Sequence, residues 1–250
     1  MEKQGRRSAQ LRCFECPLRR KRAFRDKSES QIAFINEMKR EHLSVPAGSE
    51  LIHPGQDNAE LYTLFSGWAF RFKSLPDGRR QILNFLLPGD FVGLQASMFG
   101  AALFGVETLT DSEFCLFPRR RVWSMFEHMP DLAYEVSWLG SREQSLVDDN
   151  LMSVGLRNAT ERLAALILTL YKRCDALGLV QDRGFEFPLS QTHIAEALGL
   201  SLVHTNKTFA RLRRLGLFSR AGGRLRIENP RVLERLAQYV EEEPAQRPMI

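Results

Sequence analysis

The chain has 250 residues, of which 44% are hydrophobic and 26% are charged, and its formal net charge is +5. This length and composition are sufficient for a buried core and two domains, and they exclude a chain that is disordered throughout. The apolar stretches are too short to span a bilayer, and residues 1–10 are too polar for a signal peptide. We therefore expect a cytoplasmic protein with no membrane partner.

The charge is distributed unevenly along the chain. Residues 1–27 carry a net charge of +7, residues 28–156 carry −7, and residues 157–250 carry +5. A sensor joined to a module that binds a polyanion has this distribution, because phosphate contacts need Lys and Arg. Ordinary solvated surface charge is the alternative explanation.

Short strands separated by turn residues are predicted between residues 51 and 117. In the strand Trp68–Phe72, aromatic residues alternate with Ala69, Arg71 and Lys73, which predicts one apolar face and one face in water. The pattern indicates a small antiparallel barrel or roll. The predicted strands are Leu61–Phe65, Trp68–Phe72, Gln81–Leu86, Val106–Thr110 and Glu113–Phe117.

A long helix is predicted after Pro118, because apolar residues there recur on one helical face. The face is interpreted either as the seam of a dimer or as ordinary core packing. Glu143 and Asn150 interrupt a strict heptad, although a buried polar residue at a seam can also fix its register. The predicted seam residues are Leu132, Val136, Leu139, Leu146, Asn150 and Val154.

A helix, a glycine turn and a second helix are predicted over residues 190–215, after a helix over Glu161–Leu177. Ser190 and Ser201 have the side chains of N-caps, Ala195 is small where the helices would cross, and Gly199 permits the turn. The first turns of the second helix would face the major groove of DNA.

The stretch from Lys207 to Ile227 has seven basic residues and no acidic one, and it contains a predicted β-hairpin wing around Ala221-Gly222-Gly223. This bias favours phosphate contacts. The candidate DNA-binding residues are Ser190, Gln191, Ser201, Leu202, Val203, His204, Asn206, Lys207, Arg211, Arg214 and Arg224.

The order of these segments resembles the Crp/Fnr family of transcription regulators. The resemblance covers about residues 11–240 and includes the roll sequences Leu64-Phe65-Ser66-Gly67 and Leu87-Pro88-Gly89-Asp90-Phe91. It implies an α+β fold with a cyclic-nucleotide-binding-type antiparallel β-roll (a cupin-like jelly roll), a long dimerisation helix and a winged helix-turn-helix. It further implies a homodimer on two-fold symmetric double-stranded DNA and RNA polymerase as a partner.

The resemblance divides the chain into five parts. These are a basic cysteine-containing arm (residues 1–27), the β-roll sensor (28–120), the dimerisation helix (121–156), the winged helix-turn-helix (157–240) and a tail (241–250). A redox, gas or small-ligand signal sensed in the N-terminal part would alter the packing of the long helix and thereby the spacing of the two recognition helices.

Cyclic AMP is not expected as the effector. Family members that bind it have a Glu after the roll's Gly and a downstream Arg for the phosphate, but here Gly93 is followed by Leu94-Gln95. No Lys or Arg occurs between Arg80 and Arg119, so a buried phosphate there would lack a guanidinium partner. The apolar run Phe91–Phe104 either packs the roll or lines a pocket for a less polar ligand.

Fnr-like oxygen sensors hold an iron–sulfur cluster on four cysteines, three in the N-terminal arm and one before a Pro in the roll. Cys13 and Cys16 resemble two of the arm ligands, Cys115 resembles the roll ligand, and Arg22 stands at the remaining arm position. Three alternatives to a cluster are open: zinc on the same three thiolates, reversible thiol oxidation, and cysteines that only pack.

The recognition helix departs from the family pattern. Where the family usually has a Glu and an Arg that read a TGA-containing half-site, this chain has Val203 and Lys207, so we expect a different operator. We predict that Lys207 contacts a guanine or a phosphate, that Asn206 reads adenine and that Val203 contacts a thymine methyl.

Two other classes of protein use similar domains. The first is a cupin-like metal-dependent enzyme, but no His-x-His pair, glycine-rich phosphate loop or nucleophile elbow occurs, so we do not expect an enzyme. The second is a scaffold whose winged domain binds protein; DNA binding differs from it by a steep dependence on salt.

Overall fold

The structure, a computed structural model, describes residues 6–7, 11–57, 59–239 and 246–250. An N-terminal roll comes first, with single helical turns at Cys13–Glu15 and Pro17–Arg20 between its first strand and its first helix, and it is followed by one at Arg119–Arg121. The roll contains β1 (Arg6–Arg7), α1 (Glu29–Met38), β2 (Glu41–Val45), β3 (Glu50–Ile52), β4 (Leu61–Ser66), β5 (Ala69–Ser74), β6 (Arg80–Leu86), β7 (Phe91–Val92), α2 (Leu94–Phe99), β8 (Gly105–Thr108) and β9 (Ser112–Phe117).

The second half of the chain is mainly helical. Its elements are α3 (Val122–His128), α4 (Pro130–Leu156), α5 (Ala159–Ala176), β10 (Gly184–Glu186), α6 (Gln191–Leu198), α7 (Leu202–Arg214), β11 (Phe218–Ala221), β12 (Arg224–Ile227) and α8 (Pro230–Ala237). None of the helices in the described ranges is long and apolar enough to cross a membrane.

The roll consists of two antiparallel sheets, with strand orders β1-β2-β9-β4-β7 and β3-β8-β5-β6. The five strands predicted from the sequence correspond to β4, β5, β6, β8 and β9. The turn at Gly67 needs glycine, because its φ is +89° and a Cβ there would lie 2.4 Å from the Ser112 hydroxyl oxygen. The predicted α+β fold with an antiparallel roll is confirmed.

Residues 68–72 are buried on both sides of the strand, so the predicted face in water is wrong for Ala69 and Arg71, whereas Lys73 is exposed as predicted. Ala69 belongs to the core inside the roll, and only 6% of Arg71 is exposed. Trp68 and Phe70, on the other side, join one continuous core with the helices of the winged domain. The alternation in the sequence separates the two faces of the strand. It does not reveal that the aromatic face is the outer one and is covered by a second domain.

The predicted segment 121–156 contains two helices rather than one. α3 ends at His128, Met129 has the non-helical dihedrals φ −139° and ψ 67°, and Pro130 is the first residue of α4. Proline is favoured at this first position, because its fixed φ suits a helix and its missing N–H would have had no partner. Only α4, with 27 residues, is a long helix.

The seam predicted on the long helix is wrong for Leu132, Val136 and Leu139. These side chains are at least 93% buried in the core beneath the roll of the same chain, together with residues of α1 and β9, so a second protomer cannot contact them. Asn150 also faces inward and donates a hydrogen bond to the carbonyl of Leu83. The exposed apolar residues of α4 are Tyr134, Leu151, Met152 and Leu156.

Residues 246–250, the described part of the predicted tail, return to the roll. Arg247 forms a parallel bridge with Phe24, and Met249 and Ile250 are each only 4% exposed. The segment therefore contributes to the core of the sensor half, although it follows the winged domain in the chain.

Candidate nucleic-acid interface

Helices α6 and α7 form the predicted helix-turn-helix. The Ser190 side chain accepts a hydrogen bond from the His193 N–H at 3.1 Å, and the Ser201 side chain accepts one from the His204 N–H at 3.3 Å, so both serines are N-caps. Gly199 ends α6 in the left-handed conformation with φ 63°. Ala195 is buried, as a small residue at a helix crossing should be.

Helix α7 has one buried face and one face in solvent. Thr205, Thr208, Phe209 and Leu212 are buried, and the ring of Phe209 packs edge-on against Phe218 of the wing with the ring centroids 4.8 Å apart. This contact fixes the rotation of α7, so that the opposite face points outward. The residues exposed there are Leu202, Val203, His204, Asn206, Lys207, Arg211, Arg213 and Arg214.

The structure exposes ten of the eleven candidate DNA-binding residues. The exception is Gln191 in the first turn of α6, which is half-buried and whose side-chain oxygen has no hydrogen-bond partner among the described residues. The ten lie on α7, at its N-cap, at the N-cap of α6 and on the wing strand β12. One protein surface therefore holds nearly the whole predicted set.

The basic residues of this region fall into two groups. In the wing, Arg220 donates to the carbonyl of Leu189 at 2.9 Å, Arg224 donates to that of Gly184 at 2.9 Å, and Arg226 lies 3.8 Å from a carboxylate oxygen of Glu228. Within the described ranges, no hydrogen bond or ion pair engages the side chains of the second group, Lys207, Arg211, Arg213 and Arg214. The free positive charge is thus concentrated on α7.

The sensor roll contacts the helix-turn-helix through α6. Arg80 of β6 bonds to Glu107 of β8 at 2.6 Å and to Glu196 of α6 at 3.3 Å. Beside this pair, the rings of Phe70 and His193 lie 5.4 Å apart. The contacts of Arg80 with Glu196 and of Phe70 with His193 could not be predicted from local sequence patterns, because each joins positions more than 100 residues apart. They place the helix that precedes α7 directly on the roll.

The interior of the roll holds an ion pair between Arg71 of β5 and Glu143 of α4. The Arg71 guanidinium also lies over the ring of Phe104, 4.8 Å from its centroid. Burial lowers the pKa of Arg71 and raises the pKa of Glu143, while the pairing opposes both shifts. The buried guanidinium of Arg71 is thus already neutralised by Glu143.

These residues do not fit a cyclic nucleotide. Gln95, which follows the position of the roll's Gly, is exposed rather than directed inward, and Leu94 is buried in the core. The apolar run Phe91–Phe104 packs the roll with Val92, Ala102 and Phe104, each about 1% exposed.

Three of the four cysteines line one small pocket. Cys13 and Cys16 come from the arm and Cys115 from β9, and the pocket has a volume of about 20 Å³. Burial raises the pKa of the Cys13 thiol and raises that of Cys115 to about 11. Cys174 lies elsewhere, in the core beneath α5, where burial raises its pKa to about 12. Cys13, Cys115 and Cys174 are therefore protonated at neutral pH.

The three thiols do not fit an iron–sulfur cluster or a zinc ion in this arrangement. Within the part of the chain that the structure describes, no group of three or more His, Cys, Asp or Glu side chains is placed to hold a metal ion. The pocket has room for about one or two water molecules. Arg22, at the position of the missing arm cysteine, is 68% exposed and pairs with Asp175 of α5.

Comparisons with known proteins agree with the architecture. Residues 42–129 match the model of the cyclic nucleotide-binding domain, and residues 161–236 match that of the Crp-like helix-turn-helix domain. The nitrogen fixation regulation protein FixK of Bradyrhizobium diazoefficiens is similar, with 29% identity over 226 residues, which cover 90% of this chain and 93% of that protein.

Two further similarities were found. The transcriptional activatory protein AadR of Rhodopseudomonas palustris is 31% identical over 177 residues, which cover 71% of this chain and 73% of that protein. The structure of FixK2 from Bradyrhizobium japonicum matches with a TM-score of 0.72 and 24% identity, covering 80% of this chain and 98% of that one. The relatives are regulators, so the cupin-like enzyme alternative is excluded. The chain belongs to the Crp/Fnr family of transcription regulators.

Proposed function

We propose that this protein is a sequence-specific DNA-binding regulator that uses α7 as its recognition helix. The observation that carries the proposal is the outer face of α7, where four basic side chains without intramolecular partners lie beside exposed Val203 and Asn206. Basic groups without internal partners are available to phosphates, and an exposed helix of this length fits the major groove.

Each residue of this face has an expected contact. Lys207 is expected to contact a guanine or a phosphate, Asn206 to read an adenine, and Val203 to contact a thymine methyl. Arg211 and Arg214, one and two turns further along, are expected to bind phosphates. Ser190 and Ser201 already bond to backbone N–H groups, so their hydroxyls would act mainly as caps.

We infer that the active form is a homodimer formed along the exposed face of α4. At 100° per residue, Tyr134, Met152 and Leu156 lie within about 40° of one another, on the side of the helix that faces away from the roll. Two-fold symmetry would place two α7 helices about 34 Å apart, the distance between successive major grooves. A two-fold symmetric operator follows from this arrangement.

The dimer face can be tested separately. Met152→Glu combined with Leu156→Glu should convert the protein to a monomer in analytical ultracentrifugation and weaken binding to a two-fold symmetric site at least about tenfold. Leu103→Glu, which changes an equally apolar exposed residue of the roll, is the matched control and should leave the dimer intact. A dimer that survives the double substitution would place the interface elsewhere.

The signal is proposed to enter through the arm and roll and to reach α7 through the contacts between β6 and α6. Arg80 is central to this route, because it joins Glu107 of the roll to Glu196 of α6. The regulator would act in the cytoplasm and engage RNA polymerase at its promoters.

Selection from random double-stranded DNA with the full chain tests the proposal. We expect enrichment of an inverted repeat, and binding to it that falls steeply with salt because several phosphates are neutralised. Failure to enrich any sequence, or binding that is insensitive to salt, would refute the proposal and favour the protein-binding scaffold.

A further inference from the structure

Residues 246–250 lie in a groove between the N-terminal arm and the roll. The Arg247 N–H donates to the carbonyl of Ala23 at 2.9 Å, and the Arg247 carbonyl accepts a hydrogen bond from the Arg25 N–H at 3.0 Å. The Arg25 guanidinium also bonds to the carbonyl of Gln246 at 2.9 Å. The arm thus recognises the backbone of this segment by strand-like pairing.

The side chain of Arg247 provides a charged anchor. It is 5% exposed, donates to the carbonyl of Pro88 at 2.9 Å and pairs with Asp90. Its guanidinium lies over the ring of Phe24, 4.9 Å from the centroid. The tip of this ring lies against Gly89, where a Cβ would be only 2.1 Å from Cζ of Phe24. The turn Pro88-Gly89-Asp90 is therefore shaped to hold Phe24 and Arg247 together.

Asp90 joins the anchor to the helices. It accepts a hydrogen bond from the Leu87 N–H at 2.7 Å and pairs with Arg173 of α5, while Arg142 of α4 lies 3.7 Å away. The segment, the roll and two helices therefore converge on one buried carboxylate.

The apolar end of the segment closes the thiol pocket. Met249 and Ile250 form one wall of the pocket lined by Cys13, Cys16 and Cys115. The Ile250 carbonyl accepts a hydrogen bond from the buried hydroxyl of Thr63 at 2.6 Å. A reagent that approaches the thiols from this side must first displace both residues.

We propose that this groove is a peptide-binding site of the sensor domain, and that its ligand is a short segment with an arginine, a proline and then two apolar residues. The chain supplies the ligand itself as residues 246–250. Three independent features specify it: backbone pairing with Ala23 and Arg25, the Asp90 anchor, and the apolar pocket. No single one of them would distinguish this segment from other segments.

Occupation of the groove links the cysteines to the winged domain. The segment follows α8, and α8 packs against α5, which carries Arg173. Undocking would therefore expose the thiol pocket and remove one tie between the winged domain and the roll in a single step.

The rate of thiol labelling in the full chain tests the proposal. Arg247→Glu places a carboxylate beside Asp90 and should undock the segment, so N-ethylmaleimide should label Cys13 and Cys115 at least about tenfold faster, as measured by peptide mass spectrometry. Cys174, which is 1% exposed in a different core, is the internal reference and should keep its wild-type rate. Equal labelling rates of Cys13 and Cys115 in wild type and variant would overturn the proposal.

A rise in Cys174 labelling would mean that the variant has unfolded, and Ile250→Asp then replaces it, because this change leaves the Asp90 cluster intact and Ile250 belongs to the core of Cys13 and not to that of Cys174. For this second variant too, faster labelling of Cys13 and Cys115 with an unchanged rate for Cys174 is expected, and unchanged rates for Cys13 and Cys115 would overturn the proposal.

Adding the ligand back separates recognition from mere packing. A synthetic peptide with the sequence of residues 244–250 should bind to the Arg247→Glu chain in a saturable way and return Cys13 and Cys115 to slow labelling. The same peptide with Glu in place of its arginine should do neither. Absence of binding by the unmodified peptide would contradict a peptide site even if the variant labels faster.

Discussion

The N-terminal arm and helix α7 are both strongly basic in sequence, but their basic side chains have different surroundings. Several of those in the arm bind to other groups of the chain, whereas those of α7 extend into solvent. In the arm, Arg19 donates to the carbonyl of Cys13, Arg22 pairs with Asp175, and Lys27 pairs with Glu135 with none of its side chain exposed. On α7, the basic side chains from Lys207 to Arg214 extend into solvent without partners in the described structure. These three side chains of the arm are thus engaged within the chain, whereas those of α7 are available to a ligand.

The comparison shows why a count of charges is a weak predictor of a binding surface. A guanidinium that already satisfies carbonyls or carboxylates would have to give up those bonds before it could bind a phosphate. The three arginines of the wing belong with the arm in this respect, since each already has a partner in the same chain. Substitutions in the arm and on α7 can test this difference between basic side chains that have partners in the chain and those that have none.

The largest effect is expected for Asp90→Asn, which removes the carboxylate shared by Arg142, Arg173 and Arg247. The variant leaves buried guanidinium groups without a counter-charge, so the free energy of unfolding should fall by about 3–5 kcal/mol in a urea titration. Asp26→Asn, which neutralises an exposed carboxylate of the arm, is the control and should have little effect. A loss no larger than that of the control would mean that the cluster contributes no net stability.

The same carboxylate predicts a response to acid. Burial would raise the pKa of Asp90, but the neighbouring arginines, Arg173 foremost, outweigh it and hold the pKa well below its usual range. Its contribution to stability is therefore complete above the unfolded-state pKa of about 3.9 and is lost as the pH falls towards the folded-state value. Below about pH 4 the unfolding free energy of the wild type should decrease more steeply than that of Asp90→Asn.

On α7 the expected effect is on binding and not on folding. Lys207→Ala should weaken binding to the selected operator at least about tenfold, because a base contact contributes about 1–3 kcal/mol, and it should leave the unfolding free energy unchanged. Lys73→Ala, an equally exposed lysine on the roll, is the matched control in a fluorescence anisotropy titration. Unchanged affinity of the Lys207 variant would remove that residue from the interface.

The two halves also differ in how much of their structure can be predicted from the sequence. The winged segment was predicted in detail because local signals define it: Ser190 and Ser201 cap their helices, Gly199 makes the turn, and Gly222-Gly223 separates the wing strands. The sensor half depends on long-range contacts. Periodicity identified the apolar face of Leu132 and Val136, but it could not tell a partner protomer from the chain's own roll.

The site on the C-terminal segment had no signal in the sequence. Gln246-Arg247-Pro248-Met249-Ile250 has neither a periodic pattern nor a turn motif, and its binding depends on Phe24 and Asp90 far away in the chain. The resemblance placed Cys13, Cys16 and Cys115 in one group, and they line one pocket. That they are not arranged as metal ligands depends on their positions in the fold, which the sequence does not reveal.

A smaller effect is expected for Arg22→Ala. Its pair with Asp175 is exposed, with 68% and 47% of the two side chains accessible, so the loss of unfolding free energy should be less than about 1 kcal/mol. Operator affinity should not change, in contrast to Lys207→Ala. A clear loss of DNA affinity, measured in the same anisotropy titration, would show that the arm also contributes charge to the interface.

No effect is expected from metal. Protein purified without oxygen should contain less than stoichiometric iron, acid-labile sulfide and zinc, and the Cys13→Ala/Cys16→Ala variant should have the same content, because burial raises the pKa of the Cys13 and Cys115 thiols and the pocket is small. Iron with sulfide in the wild type, lost in the variant, would show that the arm rearranges around a cluster.

The central claim is that two copies of α7 read DNA together, and a hydroxyl-radical footprint of the full chain on the selected operator tests it most directly. The account predicts two protected regions related by two-fold symmetry and centred about one helical turn, or 34 Å, apart. It further predicts that Lys207→Ala weakens both regions equally. Protection of a single region, or a footprint that is unaffected by Lys207→Ala, would contradict it.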